Sequence, residues 1–159
     1  MDKITLTAFQ DQFNRERGNR EAYRVMASNL DAVNWEGAAN WMRNASNEEG
    51  EHADKFAAYL IDRNEIPRYD PLPAPAVVAG EDLLPYFEAA LALEVANTEQ
   101  IKELHYAAEQ SEDMQTCVFL IWAVEEQTKS ERELMDIILM LRRLDNNGRV
   151  VFDETLGGG

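Results

Sequence analysis

Apolar residues recur at three-to-four spacing along most of this chain, and the stripes they mark predict helices. Phe9, Phe13, Tyr23, Ala27 and Leu30 predict a first helix over about 6–33, and Ala38, Met42, Ala45, Phe56 and Tyr59 a second over about 35–63. Phe87, Leu91, Ile101 and Leu104 predict a third over about 81–109, with Pro85 tolerated in its first turn. Gln110-Ser-Glu-Asp113 reads as a turn and N-cap. A fourth helix over about 112–144 should then bury Cys117, Leu120, Ile121, Val124, Leu134, Ile138 and Leu141. Asn146-Asn-Gly148 stops it, and Arg149–Leu156 suits a short fifth helix over about 149–156 before a Gly-Gly-Gly end expected to be flexible. Asn64–Gly80 holds four prolines and no helical period. Its 17 residues reach ~55 Å at ~3.3 Å each, more than the ~42 Å of a 28-residue helix, so it is expected to run the length of a bundle rather than make a turn. The pattern predicts an all-α fold in one domain, 1–159: a four-helix bundle with a long crossover between its second and third helices and a short fifth helix.

Polar residues interrupt these stripes at one level. Glu16 falls where the first helix should be apolar, Glu49 and His52 lie three residues apart on the inner face of the second, and Glu94 and Gln127 sit on the inner faces of the third and fourth. Arg20, one turn past Glu16, offers a salt bridge as a plain alternative. Glu16 to Glu49 and Glu94 to Gln127 are both 33 residues, and in an antiparallel helix pair residues equidistant from the turn face each other. The midpoints fall between Ala32 and Val33 and between Gln110 and Ser111, at breaks chosen on other grounds. The four positions should therefore meet near mid-bundle.

Composition sharpens this. With 15 basic against 30 acidic residues, a net charge of −15 and pI near 4.4, the chain repels nucleic acid and suits cations. A single cysteine, Cys117, excludes an intrachain disulfide and any all-cysteine metal cage, and fits a reducing, cytoplasmic setting. No leader pattern and no run of ~20 apolar residues is present, so no membrane partner and a soluble, unprocessed chain are expected.

Carboxylates sharing a core pocket repel and protonate unless cations hold them, so Glu16, Glu49, His52 and Glu94 read as metal ligands. One imidazole among carboxylates suits iron, with manganese or zinc as alternatives. Di-iron bundles usually supply a second E-x-x-H, and the fourth helix lacks one: Glu125, Glu126 and Gln127 are followed at the third place by Thr128, Lys129 and Ser130. One iron would then be fully held by protein and the other weakly, which suits a site whose product must leave.

With the segments NRE ending at Glu16, NWEGAANWMRNASNEEGEHADKF, LALEVANTEQIKEL and FLIWAVEEQ, the chain resembles the non-haem bacterial ferritins over nearly its whole length. The resemblance implies a ferritin-like bundle and a ferroxidase centre in which Glu16, Glu49 and His52 hold one iron and Glu49 and Glu94 the other. Gln127 would assist beside the second iron and Tyr23 would be the nearby redox-active phenol. It further implies 24-subunit cages that oxidise Fe(II) with O₂ or peroxide and store ferric oxyhydroxide. Glu48 and Glu126 match a third iron site of that family, where Lys129 and Ser130 replace its usual acids. Cys117 and Leu120 stand where animal ferritins line three-fold pores with acids, and Gly50 stands where bacterioferritins carry their haem-binding Met, so no haem is expected. His105 has no expected acid partner, Trp122 flanks the metal level, and the Met residues read as core filler. A bundle that sequesters divalent cations without redox chemistry is the competing reading, to be separated by aerobic Fe(II) addition.

Overall fold

The structure is a computed structural model and describes residues 1–157; the last two glycines of the Gly-Gly-Gly end lie outside the described residues. Six helices form among them: α1 Lys3–Ala32, α2 Glu36–Asp62, α3 Leu84–Gln110, α4 Met114–Phe119, α5 Ile121–Arg143 and α6 Asn146–Thr155. No strand forms among the described residues, and no helix is long and apolar enough to cross a membrane. The molecule is a four-helix bundle in which α1 packs on α2 and α3, and α3 packs on α5.

Acidic caps set three of the helix starts. Asp2, Asp113 and Asp145 each accept a hydrogen bond from the backbone N–H three residues on, at Thr5, Thr116 and Gly148. The reversals fall at the equidistance points: α1 ends at Ala32 and α3 at Gln110. Asn34 and Glu112 complete them in the left-handed region, at φ 64° and 56°.

The fourth helix differs from its expected form. It divides at Leu120, although hydrogen bonds from Leu120 N to Thr116 O and from Val124 N to Leu120 O carry the ladder across. Of its expected inward residues, Leu120, Leu134, Ile138 and Leu141 are buried, whereas Cys117 is half-buried and Ile121 and Val124 are 53% and 46% exposed. A stripe spanning more than one face overshoots the bundle interior, and Ala123 and Gln127 take the inner positions instead.

The crossover runs along α1, as its length requires. Gln10 donates to Ile66 O and accepts from Arg68 N, Asn14 donates to Arg68 O, Arg17 to Asp70 O, and Asn29 to Val78 O. These side chains spread over some five turns of α1 and satisfy backbone groups that an extended strap would otherwise leave to water.

Two apolar clusters fill the bundle. Tyr23, Met26, Leu30, Met42, Phe87, Leu134 and Leu141 belong to one. Phe9, Phe13, Phe56, Leu60, Ile101, Leu104 and Leu120 belong to the other. Along each helix a polar layer separates the two clusters.

Candidate metal centre

Glu16 from α1 and Glu49 and His52 from α2 supply the centre of that layer, all three buried, each with one ligand atom within 4.8 Å of the others. His52 Nδ1 lies 3.3 Å from Glu49 Oε1 and 3.7 Å from Glu16 Oε2. Glu94 comes from α3 and Gln127 from α5, both 3% exposed. Glu94 Oε1 accepts from the Tyr23 phenol at 2.5 Å and its Oε2 from Gln127 Nε2 at 3.0 Å. The structure thus gathers Glu16, Glu49 and His52 tightly and holds Glu94 beside them on two donors.

Burial and crowding decide the protonation of the metal-free centre. Burial, reinforced by Glu16, pushes the Glu49 carboxyl well above the usual range. Burial also raises Glu94, although the Tyr23 and Gln127 donors oppose the rise. At His52 burial alone would favour the neutral ring, but the Glu16 and Glu49 carboxylates beside it overcome this and hold the imidazole's pKa at about 10. Burial, then the charge of Glu94, raises the Tyr23 phenol, which keeps its proton for that bond.

Glu16 Oε2 and Glu49 Oε2 are buried without any hydrogen-bond partner. An unpaired buried carboxylate oxygen costs more than a kilocalorie, on the order of 1–3 kcal/mol, and a divalent cation shared with His52 would remove both penalties at once. The donor set therefore fits iron as well as it fits any hard or borderline divalent ion.

The other predicted residues are placed less simply. Glu48 is exposed at the rim of a cavity of about 230 Å³ that Glu49, Glu94, Tyr23, Ser130 and Glu133 also line; burial raises its pKa modestly. Glu126 is paired with Lys129 at 3.6 Å. Arg20 makes no salt bridge with Glu16; its side chain lies across Gly50, where a Cβ would meet it at 3.4 Å. Leu120 is fully buried in its own subunit's core. His105 has an acid partner after all, Glu109, with Nδ1 3.7 Å from Oε2. Trp122 packs against His52, ring centres 5.3 Å apart, under the Lys55 ammonium.

Gln12 and Asn97 went unnoticed in the sequence. Both are fully buried, and both donate to Glu16 Oε1, at 2.5 and 3.2 Å. The available signal was position: Gln12 lies one turn before Glu16 and Asn97 three residues after Glu94, on the same inner faces.

The model of the ferritin-like domain matches residues 6–144. This chain belongs to the ferritin family. The ferritin chain is 30% identical over 152 residues to a bacterial non-heme ferritin of Staphylococcus haemolyticus, covering 96% of this chain and 91% of that one. Over 159 residues it is 30% identical to the bacterial non-heme ferritin of Staphylococcus aureus, covering 99% and 95%. Among solved structures it superposes on an open pore ferritin from the hyperthermophilic archaeon Archaeoglobus fulgidus with a TM-score of 0.95 at 30% identity, covering 100% and 99% of the two chains. Family and fold together support iron storage, and the buried triad of Glu16, Glu49 and His52 is a candidate metal site within that fold.

Proposed function

We propose that this ferritin is a ferroxidase and iron store, oxidising Fe(II) at a two-iron centre and holding ferric oxyhydroxide inside a homo-oligomeric cage of 24 subunits in the cytoplasm. The observation that carries the reading is the pair of partnerless buried oxygens, Glu16 Oε2 and Glu49 Oε2, beside His52. In this reading Glu16, Glu49 and His52 receive one Fe(II), and Glu49 and Glu94 receive the other. Gln127 steadies Glu94, and Tyr23 orients it from the opposite oxygen. The cavity bordered by Glu48, Glu49, Glu94 and Ser130 offers the second iron a way in and out.

Two Fe(II) ions each lose one electron. O₂ takes both electrons with two protons and becomes H₂O₂, or H₂O₂ takes them with two protons and becomes two waters. Fe(II) binding must expel the protons held on His52 and Glu49, because both ligate only when deprotonated. Those protons leave at the place where reduction of the oxidant consumes them.

Glu49 tests the assignment, since it alone belongs to both iron positions. Glu49→Ala should abolish rapid Fe(II) oxidation, followed by ultraviolet absorbance after aerobic Fe(II) addition, in a protein that still assembles. Removing a buried carboxyl with a raised pKa should leave thermal stability of the metal-free protein unchanged or higher. Wild-type oxidation kinetics in the assembled variant would defeat the proposal. Cation uptake with no oxidation by the wild type would leave a sequestering bundle as the function.

A further inference from the structure

The polar layer contains more amides than the metal ligands need, and their hydrogen bonds run in one direction. Gln12 Nε2 donates to Glu16 Oε1 and, at 2.8 Å, to Asn97 Oδ1. Asn97 Nδ2 in turn donates to Glu16 Oε1 and to Gln127 Oε1, both at 3.2 Å. Gln127 Nε2 donates to Glu94 Oε2 and to Glu94 O, both at 3.0 Å. Three buried amides from α1, α3 and α5 thus link the carboxylate of Glu16 to that of Glu94.

An amide can bridge in this way only in one of its two orientations. Glu16 and Glu94, when ionised, accept and never donate, so both ends of the chain demand N–H groups. Asn97 meets the demand by offering its oxygen to Gln12 and its N–H₂ to Glu16 and Gln127. Because Asn97 places a donor on Gln127 Oε1, Gln127 must turn its own N–H₂ toward Glu94. The cost appears at the open end: Gln12 Oε1 is buried with no partner. A chain that tolerates an unsatisfied acceptor to keep its donors on two carboxylates is arranged around those carboxylates rather than around packing.

We propose that Asn97 is a positioning residue that sets both halves of the centre, an inference that rests on the two-metal reading above. On one side it joins Gln12 in occupying Glu16 Oε1, which leaves Glu16 Oε2 for the metal. On the other it fixes the orientation of Gln127 and so of Glu94. Gln12 acts on the Glu16 half alone, because its contact with Gln127 passes entirely through Asn97.

The contrast between these two residues supplies a test that a merely structural role would not pass. Anaerobic calorimetric titration with Co(II), paired with the ion's visible absorption bands, reports the two metal positions separately from turnover. Asn97→Leu should weaken both positions by ~10-fold or more and shift both absorption signatures, in line with the usual cost of losing a residue that orients metal ligands. Gln12→Leu should weaken the Glu16 position by a similar factor and leave the Glu94 position within about two-fold. Asn97→Ser is too short to reach either neighbour and repeats the first arm should the leucine fail to fit the core. If either assembled Asn97 variant retains two wild-type affinities and bands, or if Asn97→Leu and Gln12→Leu give one pattern, the inference is overturned while the metal centre stands. Wild-type protein that takes up no Co(II) and no Fe(II) at two per subunit would overturn the metal centre, and this inference with it.

Discussion

His52 and Glu49 hold protons that a metal must displace, and this makes metal uptake pH-dependent. The His52 pKa is raised from 6.5 to about 10, and Glu49 stands well above 4.5, so the metal-free folded state binds more protons than the unfolded chain. Stability from His52 is fully present below pH 6.5 and is lost as pH rises through about 10. Metal affinity runs the opposite way. Zn(II) or anaerobic Fe(II) affinity should rise with pH from about 6.5 towards 10, by up to about ten-fold per pH unit for each proton released, and a pH series of titrations checks the slope. The weaker half invites a second change. Ser130 borders the cavity beside Glu49 and Glu94, so Ser130→Glu should bring a carboxylate to the Glu94 half, tighten it, and slow multi-turnover oxidation by retaining Fe(III). Calorimetry paired with multi-turnover assays decides; faster turnover with no gain in affinity would contradict the idea.

The start of α2 has no capping side chain of its own, since its N-cap position is Trp35. Asp153 of α6 supplies the missing acceptors instead: Oδ1 accepts from Ala38 N at 2.7 Å and Oδ2 from Gly37 N at 3.0 Å. A carboxylate at a helix N-terminus satisfies orphan N–H groups and complements the helix dipole, here across two elements 115 residues apart. Gly37 permits the approach, because a Cβ there would lie 1.7 Å from Asp153 O. Asp153→Ala should cost about 1–2 kcal/mol and loosen α6. Gly37→Ala should cost at least as much by forcing α6 away. Thermal denaturation reports both, and amide hydrogen exchange should rise first in α6. Fe(II) binding in Asp153→Ala should stay at the wild-type level, since the cap lies about three turns of α2 before Glu49.

Met114, Val118, Ile121 and Val124 form an exposed apolar stripe along α4 and α5, from 46% to 76% exposed in the isolated subunit. An uncovered apolar stripe of this length suits contact with further copies of the chain, as the proposed cage requires. Ile121→Glu together with Val118→Glu should therefore shift the protein from a particle of about 430 kDa, 24 times the subunit mass, to small species in size-exclusion chromatography. The paired substitution should leave helix content intact, because neither residue belongs to the core clusters. A particle of unchanged size would show that this stripe is not an assembly contact.

Periodicity, breakers and spacing were enough to give an all-helical bundle, the long strap and the level of the polar layer, but not the division of the fourth helix at Leu120 or the start of α6 at Asn146. Those three depend on local chemistry: helical spacing of apolar residues, proline's missing N–H, and equal distances from a turn. The approach of Glu16, Glu49 and His52 could be anticipated because two residues of one helix share a face and an antiparallel neighbour of equal length brings the third to their level. Tertiary structure alone decided the remainder. Arg20 could pair with Glu16 in sequence, yet it lies over Gly50, a choice made by the side chains packed around both. Ile121 and Val124 matched the apolar period but face outward, because the width of a stripe does not say which part of it a neighbouring helix will cover. Gln12 and Asn97 carry no periodic signal as amides, since a buried amide resembles an exposed one until its partners arrive from other helices. The cap on α2 joins residues 37, 38 and 153, and nothing within either segment announces the other. Local propensity is written in neighbouring residues, whereas the pairing of distant polar groups is settled only by how whole helices pack.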